Sequence, residues 1–277
     1  MQNTNTIVVK VGGGRGIDPV SVVPEIAALT RSGHRVVLVH GGSHDTDVLA
    51  DALGHPRQTI TSPSGHESRR TDRTTLEIFQ MAYCGKINKA VVESLRRLGI
   101  DAVGLSGIDA GIWIGRRKNA IRAIEDGRTV IIRDDLSGRV ESVNAAFLNT
   151  LLDAGHVPVL TPPAVTDDGV TINVDADRAA AATAVALGAS ELLLLSNVPG
   201  VLRDAQDPDS LISHVGPDGL EAANAAARGR MKNKVLAATE AARGDVDRVV
   251  IGSANGPEPI AAARSGAGTV FQIGVGV

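Results

Sequence analysis

The chain has 277 residues, 43% apolar and 21% charged, enough for one large α/β domain or two lobes around a sizeable core. A net charge of -3 leaves no electrostatic footprint for nucleic acid or an anionic membrane, and the one cysteine, Cys84, excludes an internal disulfide and a cysteine-based metal site. Aromatic residues make up only 2%, so the core must be built from Ala, Val, Leu and Ile.

The first six residues lack the basic and apolar regions of a leader, and no apolar run reaches membrane-spanning length. The expected compartment is therefore the cytoplasm, with neither nucleic acid nor membrane as a partner. Residues 6–11 read as a buried strand. A helix is predicted over 19–32, with Asp18 as N-cap, Pro19 in the first turn and Gly33 as the stop. A strand over 35–40 ends in Gly41-Gly42, and a helix over 45–53 is stopped by Gly54. Residues 59–70 show no period and read as a loop or hairpin. One long helix or two occupy 71–98, with Gly85 as the interruption, before a short strand over 102–105. Short strands over 111–115, 120–124, 129–133 and 139–143, with a turn at Glu125-Asp126-Gly127, predict a small antiparallel patch. A helix over 145–154, a strand over 157–161, a turn at Asp168-Gly169 and an Ala-rich helix over 177–187 follow. The remainder reads as a strand over 191–196, helices over 220–227 and 232–243, a strand over 248–251, a helix over 258–264 and a strand over 269–273. Strands separated by helices predict right-handed crossovers and an α/β three-layer sandwich, with a mainly parallel sheet between helices. Such sheets bind ligands beyond the carboxyl ends of their strands.

Lys10 is the odd residue of the first strand. A buried ammonium is costly unless an anion meets it, and Gly12-Gly13-Gly14 lets backbone N–H groups turn toward one. The pattern fits a phosphate or carboxylate site at the sheet end, and equally a snorkelling edge-strand lysine. His40-Gly41-Gly42-Ser43 repeats the strand-to-glycine turn one crossover later. Two such turns can aim donors at one phosphate, or serve as ordinary loops. Asn173-Val174-Asp175-Ala176-Asp177 enters the Ala-rich helix. One side chain would cap it; a second carboxylate is then left to order a lysine or a magnesium shell. Gly229-Arg230-Met231-Lys232-Asn233-Lys234 sets cations at a helix start, where the dipole disfavours them. A bound polyphosphate would offset that cost, and an exposed basic turn would tolerate it. The dinucleotide glycine spacing fails at Ile17, and Gly85-Lys86 lacks the rest of a P-loop.

Taken in order, Val9-Lys10-Val11-Gly12-Gly13, His40-Gly41-Gly42, Arg69-Arg70-Thr71-Asp72, Gly104-Leu105-Ser106-Gly107, Asn173 to Asp177, Leu195-Ser196-Asn197-Val198-Pro199-Gly200 and Met231 to Lys234 resemble the motifs of the amino acid kinase family. The resemblance is to its N-acetylglutamate kinase branch. Ala52-Leu53-Gly54-His55-Pro56, Tyr83-Cys84-Gly85 and Gly115-Arg116-Arg117-Lys118 are similar to kinases acting on an amino acid joined to the acidic carrier protein LysW. The resemblance implies the amino acid kinase fold, with an amino acid lobe over 1–170 and an ATP lobe over 171–277 on one continuous sheet. It implies transfer of a phosphoryl group from ATP to the side-chain carboxylate of carrier-bound 2-aminoadipate or glutamate, in lysine or arginine biosynthesis. Mg2+ would arrive with ATP, without a direct ligand from the protein.

By the same resemblance, Lys10 and Lys234 flank the transferring phosphoryl and Asp177 orients them. Gly12 and Gly13 bind phosphate, while Gly41, Gly42, Arg69 and Asn173 bind the substrate. Asn197, Val198, Gly200, Leu202, Gly229 and Met231 bind ATP. Three features depart from the family pattern: Lys232 lies beside Lys234, Asn197 stands where many relatives carry Asp, and Asp175 occupies a position that is often uncharged, where a direct metal role is open. The alternatives are N-acetylglutamate kinase acting on a free amino acid and a noncatalytic amino acid sensor; Lys10, Asp177 and Lys234 argue against the sensor. Arg69-Arg70, Arg73 and Arg116-Arg117-Lys118 would form a basic rim that steers an acidic carrier, or a solvated face balanced by Asp72 and Glu77. Without a long helix ahead of the first strand, the expectation is a homodimer without arginine feedback.

Overall fold

The computed structural model describes residues 6–63, 65, 67–125 and 127–273; the expected leader-free start and the turn at Asp126 lie outside the described residues. The chain runs through β1 (Thr6–Val11), a 3-10 turn (Pro19–Val22), α1 (Val23–Arg31), β2 (Arg35–His40), α2 (Ser43–Ala52), β3 (Thr59–Thr61) and β4 (Glu67–Arg69). Next come α3 (Arg73–Gln80), a π-helical segment (Met81–Ile87), α4 (Asn88–Arg97), β5 (Ala102–Ser106), β6 (Trp113–Arg117), β7 (Ile121–Glu125), β8 (Arg128–Ile132) and β9 (Gly138–Val143). α5 (Ala145–Asp153), β10 (Val157–Thr161), β11 (Ala164–Thr166), β12 (Thr171–Ile172), α6 (Ala176–Ala186) and β13 (Glu191–Ser196) follow. β14 (His214–Val215), α7 (Leu220–Ala226), α8 (Met231–Arg243), β15 (Arg248–Ser253), α9 (Pro259–Arg264) and β16 (Thr269–Phe271) end it.

The main sheet has the order β14-β16-β15-β13-β1-β2-β10-β5. It is parallel except where β16 runs against β15. Strand order diverges on either side of β1: the earlier strands build outward through β2, the later ones through β13. That is the switch point at which an open parallel sheet leaves a crevice beyond its strand ends.

Strand alternation splits β1 between two cores. Ile7, Val9 and Val11 pack with α1, α4 and α9 through Ile26, Leu95 and Ile260. Val8 packs on the opposite face with α5, α6 and α8 through Leu148, Ala180 and Ala238. The same alternation splits β13, with Leu193 and Leu195 on the first face and Leu192 and Leu194 on the second. Lys10 shares the phase of Val8 and so points toward α6 and α8. The expected three-layer sandwich is the observed architecture.

One expectation holds in detail and one needs correction. The predicted 71–98 helix begins at Arg73, capped by the Asp72 carboxylate accepting from the Thr75 amide, and is interrupted by the π-helical turn containing Gly85, the weakest helix former there. The middle strands do not form one antiparallel patch. β9 pairs antiparallel with β6, but β6 also pairs parallel with β11, and β7–β8 makes its own two-stranded sheet. That hairpin buries Ala123 and Ile132 against Ile60 of β3, an apolar requirement that local turn signals do not display.

Trp113 closes the second core. It is fully buried, and its indole Nε1 donates to Thr183 Oγ1 of α6 at 2.9 Å. Trp113→Phe removes that donor and part of the packed volume. The expected cost is about 1–3 kcal/mol, read as a lower urea midpoint at unchanged denaturant slope.

Candidate active site

Beyond the carboxyl end of β1 lies a cleft of about 460 Å³ lined by Lys10, Asp177 and Lys234. Lys10 Nζ lies 2.6 Å from Asp177 Oδ1, and Lys234 Nζ donates to Asp177 Oδ2 at 2.7 Å. The second of these contacts has hydrogen-bond geometry; the first is an ion pair. All three side chains are buried, at 4%, 6% and 9% exposure, so the group is dry as well as charged. Burial alone would raise the Asp177 carboxyl, but the two ammonium groups overcome it and hold the carboxyl well below the usual range. Burial pulls the Lys10 ammonium below its ordinary value; Asp177 opposes this and Lys234 adds to it. Two cations thus share one anion, and the next carboxylate that Lys10 feels is Asp175. Lys232 is exposed, which settles by geometry which lysine pairs with the acid.

Asp175 takes the capping role. Its Oδ1 accepts from the Asp177 and Arg178 amides at 3.0 Å, and its Oδ2 accepts from Asn233 Nδ2 at 2.8 Å. Both oxygens being engaged, Asp175 ties the start of α6 to the first turn of α8 and frees Asp177 for the lysines.

The two glycine turns interlock. A Cβ on Gly13 would sit 2.0 Å from the Gly42 nitrogen, so only glycine lets the backbones approach this closely. The Ser43 hydroxyl and His44 amide both donate to the Gly13 carbonyl, at 3.1 and 2.8 Å. Donor assignments change here. The Gly12 amide donates to Leu195 O and the Gly41 amide to Val11 O, extending the sheet ladder. Both glycines supply space; neither amide is left for a ligand. The Gly42 amide faces the Tyr83 phenol. The Gly13 and Gly14 amides hold no acceptor among the described residues. His40 supports this turn from below: it is fully buried, Nδ1 bonds the Gly41 carbonyl and Nε2 accepts from Asn88 Nδ2, which also donates to Val159 O. Burial lowers its imidazole to about 4, keeping the ring neutral.

The far end of the cleft carries Arg69 and Asn173. Arg69 Nη2 meets Asp47 Oδ1 at 2.5 Å and donates to the Ser43 carbonyl, while its buried Nη1 has no partner among the described residues. Asn173 Nδ2 donates to Thr71 Oγ1 at 3.2 Å. Asp135, 1% exposed, accepts from the Thr71 and Ser137 amides and so holds both sides of this end together. Tyr83 stacks on Phe79 with centroids 3.8 Å apart, and burial pushes its phenol up to about 12. A second cavity, about 250 Å³, is lined by Asn197, Val198, Gly200, Leu202 and Met231. It joins the cleft at Ser196, Asn197, Arg230 and Lys234. Gly229 lines neither; its φ of +50° turns the chain into α8.

Sequence reasoning missed Asp135, Tyr83 and Ser43. Tyr83 and Ser43 stood inside quoted motifs without a role of their own; Asp135 lies in a loop whose role appears only when 71 and 137 meet. Among the described residues no three His, Cys, Asp or Glu side chains converge as a metal site, and no helix is long and apolar enough to cross a membrane.

Asp177→Asn should leave two buried ammonium groups facing a neutral amide, at a cost of about 3–5 kcal/mol. Because the folded-state carboxyl is depressed, its stabilisation is fully present above the ordinary carboxylate pKa and is lost as pH falls through the lower folded value. Urea unfolding at pH 7, 5, 4 and 3 should therefore show the wild type losing stability below about pH 4 more steeply than the variant.

The amino acid kinase family model matches residues 5–253. A LysW-aminoadipate kinase of Deinococcus radiodurans is 54% identical over 268 residues, covering 97% of this chain and 92% of that protein. Its namesake from Thermus thermophilus is 48% identical, covering 96% and 100%. Among solved structures, N-acetylglutamate synthase from Neisseria gonorrhoeae, complexed with coenzyme A and N-acetyl-glutamate, matches with a TM-score of 0.76 at 25% identity over 99% of this chain; the match spans 61% of that protein. With a buried lysine–aspartate–lysine group at the switch point and a family match over most of its length, the chain belongs to the amino acid kinase family.

Proposed function

We propose that the protein transfers the γ-phosphoryl of ATP to the side-chain carboxylate of 2-aminoadipate, or of glutamate, joined through its amino group to LysW, yielding an acyl phosphate and ADP. The observation that carries this reading is the buried Lys10–Asp177–Lys234 group in the larger cavity, with Lys234 lining both cavities. The amino acid carboxylate enters the larger, which is lined from both halves of the chain; the nucleotide occupies the smaller, lined by residues of the 171–277 lobe alone. The relatives named LysW-aminoadipate kinase supply the acceptor.

A carboxylate is already an anion, so no general base is needed. The barrier lies in bringing one anion onto another, and the work is positioning and charge stabilisation. Lys10 and Lys234 place their ammonium groups on either side of the transferring phosphoryl, and Asp177 fixes their separation. The Gly13 and Gly14 amides, which hold no acceptor among the described residues, add donors. Arg69 offers its free Nη1 to the substrate's α-carboxylate, with Asp47 and the Ser43 carbonyl holding its plane. Asn173 orients the amino acid backbone. Asn197, Val198, Gly200, Leu202 and Met231 surround the nucleoside. Both nearby acidic side chains, Asp175 and Asp177, are engaged, so a magnesium ion fits here as a companion of the phosphates and water, without a cage of protein carboxylates.

The basic rim is narrower than sequence suggests. Arg70 pairs with Asp134 and Arg116 with Glu141, while Arg117 donates to the Asp135 and Arg133 carbonyls. Arg73 and Lys118 have no acidic partner among the described residues, and Lys118 reaches the cleft. These two are the proposed electrostatic guides for an acidic carrier. The protein acts as a homodimer in this reading.

Purified protein should phosphorylate LysW–aminoadipate or LysW–glutamate, scored by ADP release and by hydroxamate trapping of the acyl phosphate. Turnover with free N-acetylglutamate alone would replace the carrier reading, and turnover with none of the three would favour a sensor. Lys10→Met should lower kcat about 10²–10³-fold while the fold survives.

A further inference from the structure

Arg230 has no part in the assignments above, yet it stands where the two cavities meet. It precedes α8, lines both cavities, and its Nη1 lies 3.3 Å from Ser43 Oγ across the cleft. The same nitrogen is 3.6 Å from the place a Cβ on Gly14 would occupy. No carboxylate pairs with it among the described residues, whereas Arg69 and Arg178 each have one. Beside it at the junction, the buried Ser196 hydroxyl has no hydrogen-bond partner among the described residues. A guanidinium whose one printed bond is to a neutral hydroxyl, and a buried hydroxyl without a partner among the described residues, thus face one passage, next to Lys234 and the Gly14 turn.

We propose that Arg230 is a phosphate-binding residue that grips the terminal phosphates of the nucleotide where they pass between the cavities, with Ser196 as a second donor; this rests on the kinase reading. A nucleoside in the smaller cavity can present its γ-phosphorus to Lys10 only through this junction. A guanidinium offers a planar fork that matches phosphate oxygens in pairs. Its position also bridges the chain's two halves: the helix start comes from the second, Ser43 and Gly14 from the first. Lys232, two residues on, lines neither cavity and takes no part.

The test is calorimetric titration of the full chain with AMP-PNP, ADP and AMP in the presence of Mg2+, on the wild type and on Arg230→Met, Arg230→Lys and Lys232→Met. Arg230→Met should weaken AMP-PNP and ADP about tenfold to a hundredfold and leave AMP unchanged. Arg230→Lys should recover part of the loss, and Lys232→Met, which removes the same charge from the same turn, should match the wild type. Unchanged AMP-PNP and ADP binding in Arg230→Met overturns the inference alone, as does an equal loss for AMP. A wild type that binds none of the three nucleotides overturns the kinase reading and this inference with it.

Discussion

Two buried ammonium groups held by one carboxylate form the constraint on which the rest of the structure depends. Such a group is stable only if the acid stays ionised and reaches both lysines without water. Three elements must therefore agree. β1 must place Lys10 on the face of Val8, α6 must begin so that Asp177 falls in its first turn, and α8 must bring Lys234 alongside. The alanines explain how the helices come close enough. Ala179, Ala180 and Ala184 of α6 and Ala237, Ala238 and Ala241 of α8 are all fully buried. Small side chains let two helices approach over the sheet, and the distance that closes the lysine–aspartate contacts follows from that approach. The low aromatic content and the charged centre are two aspects of one packing solution.

Much of the frame was legible because it rests on local rules. The β1 strand, the α1 stop at Gly33 and the cap before α6 follow from alternation, glycine and an Asx side chain, signals that need no tertiary partner. The lysine was legible as an anomaly: an apolar strand has no use for a charge. Long-range pairing was not legible. The parallel contact of β6 with β11 joins segments about fifty residues apart, and nothing within either segment specifies it. Nor did the glycine pattern show which amides remain free. Gly12 and Gly41 look like Gly13 in sequence, but the first two continue the ladder into Leu195 and Val11 and only the third leaves it. Asp135 was invisible for the same reason, since its partners at Thr71 and Ser137 come together only in the folded chain.

The site also keeps polar groups unsatisfied that a structural protein would satisfy. Arg69 Nη1 and Ser196 Oγ are buried without partners among the described residues, and two buried ammonium groups share one carboxylate. Each costs folding stability. They line one continuous passage, and each is a donor or a cation; a single class of ligand, an extended polyanion, answers all of them at once. An ordinary loop or a snorkelling lysine explains none of the three.

In the proposed reading, phosphoryl transfer and acceptor choice are separated in space. Lys10, Asp177 and Lys234 respond to charge and would serve any carboxylate delivered to them. Selection must occur at the other end, where Asp47 holds Arg69 and Asp135 holds Thr71 and Ser137. One methylene in an acceptor is worth only about 1–3 kcal/mol in a pocket, so a short wall of side chains discriminates weakly between aminoadipate and glutamate. A carrier adds what the pocket lacks: contact outside the cleft that fixes how far the carboxylate can reach. Lys118, which lines the cleft, and Arg73, exposed at the start of α3, sit where such contact would begin. Chain length is then measured against a docked protein, and the binding energy that holds the carrier is available to press one anion against another.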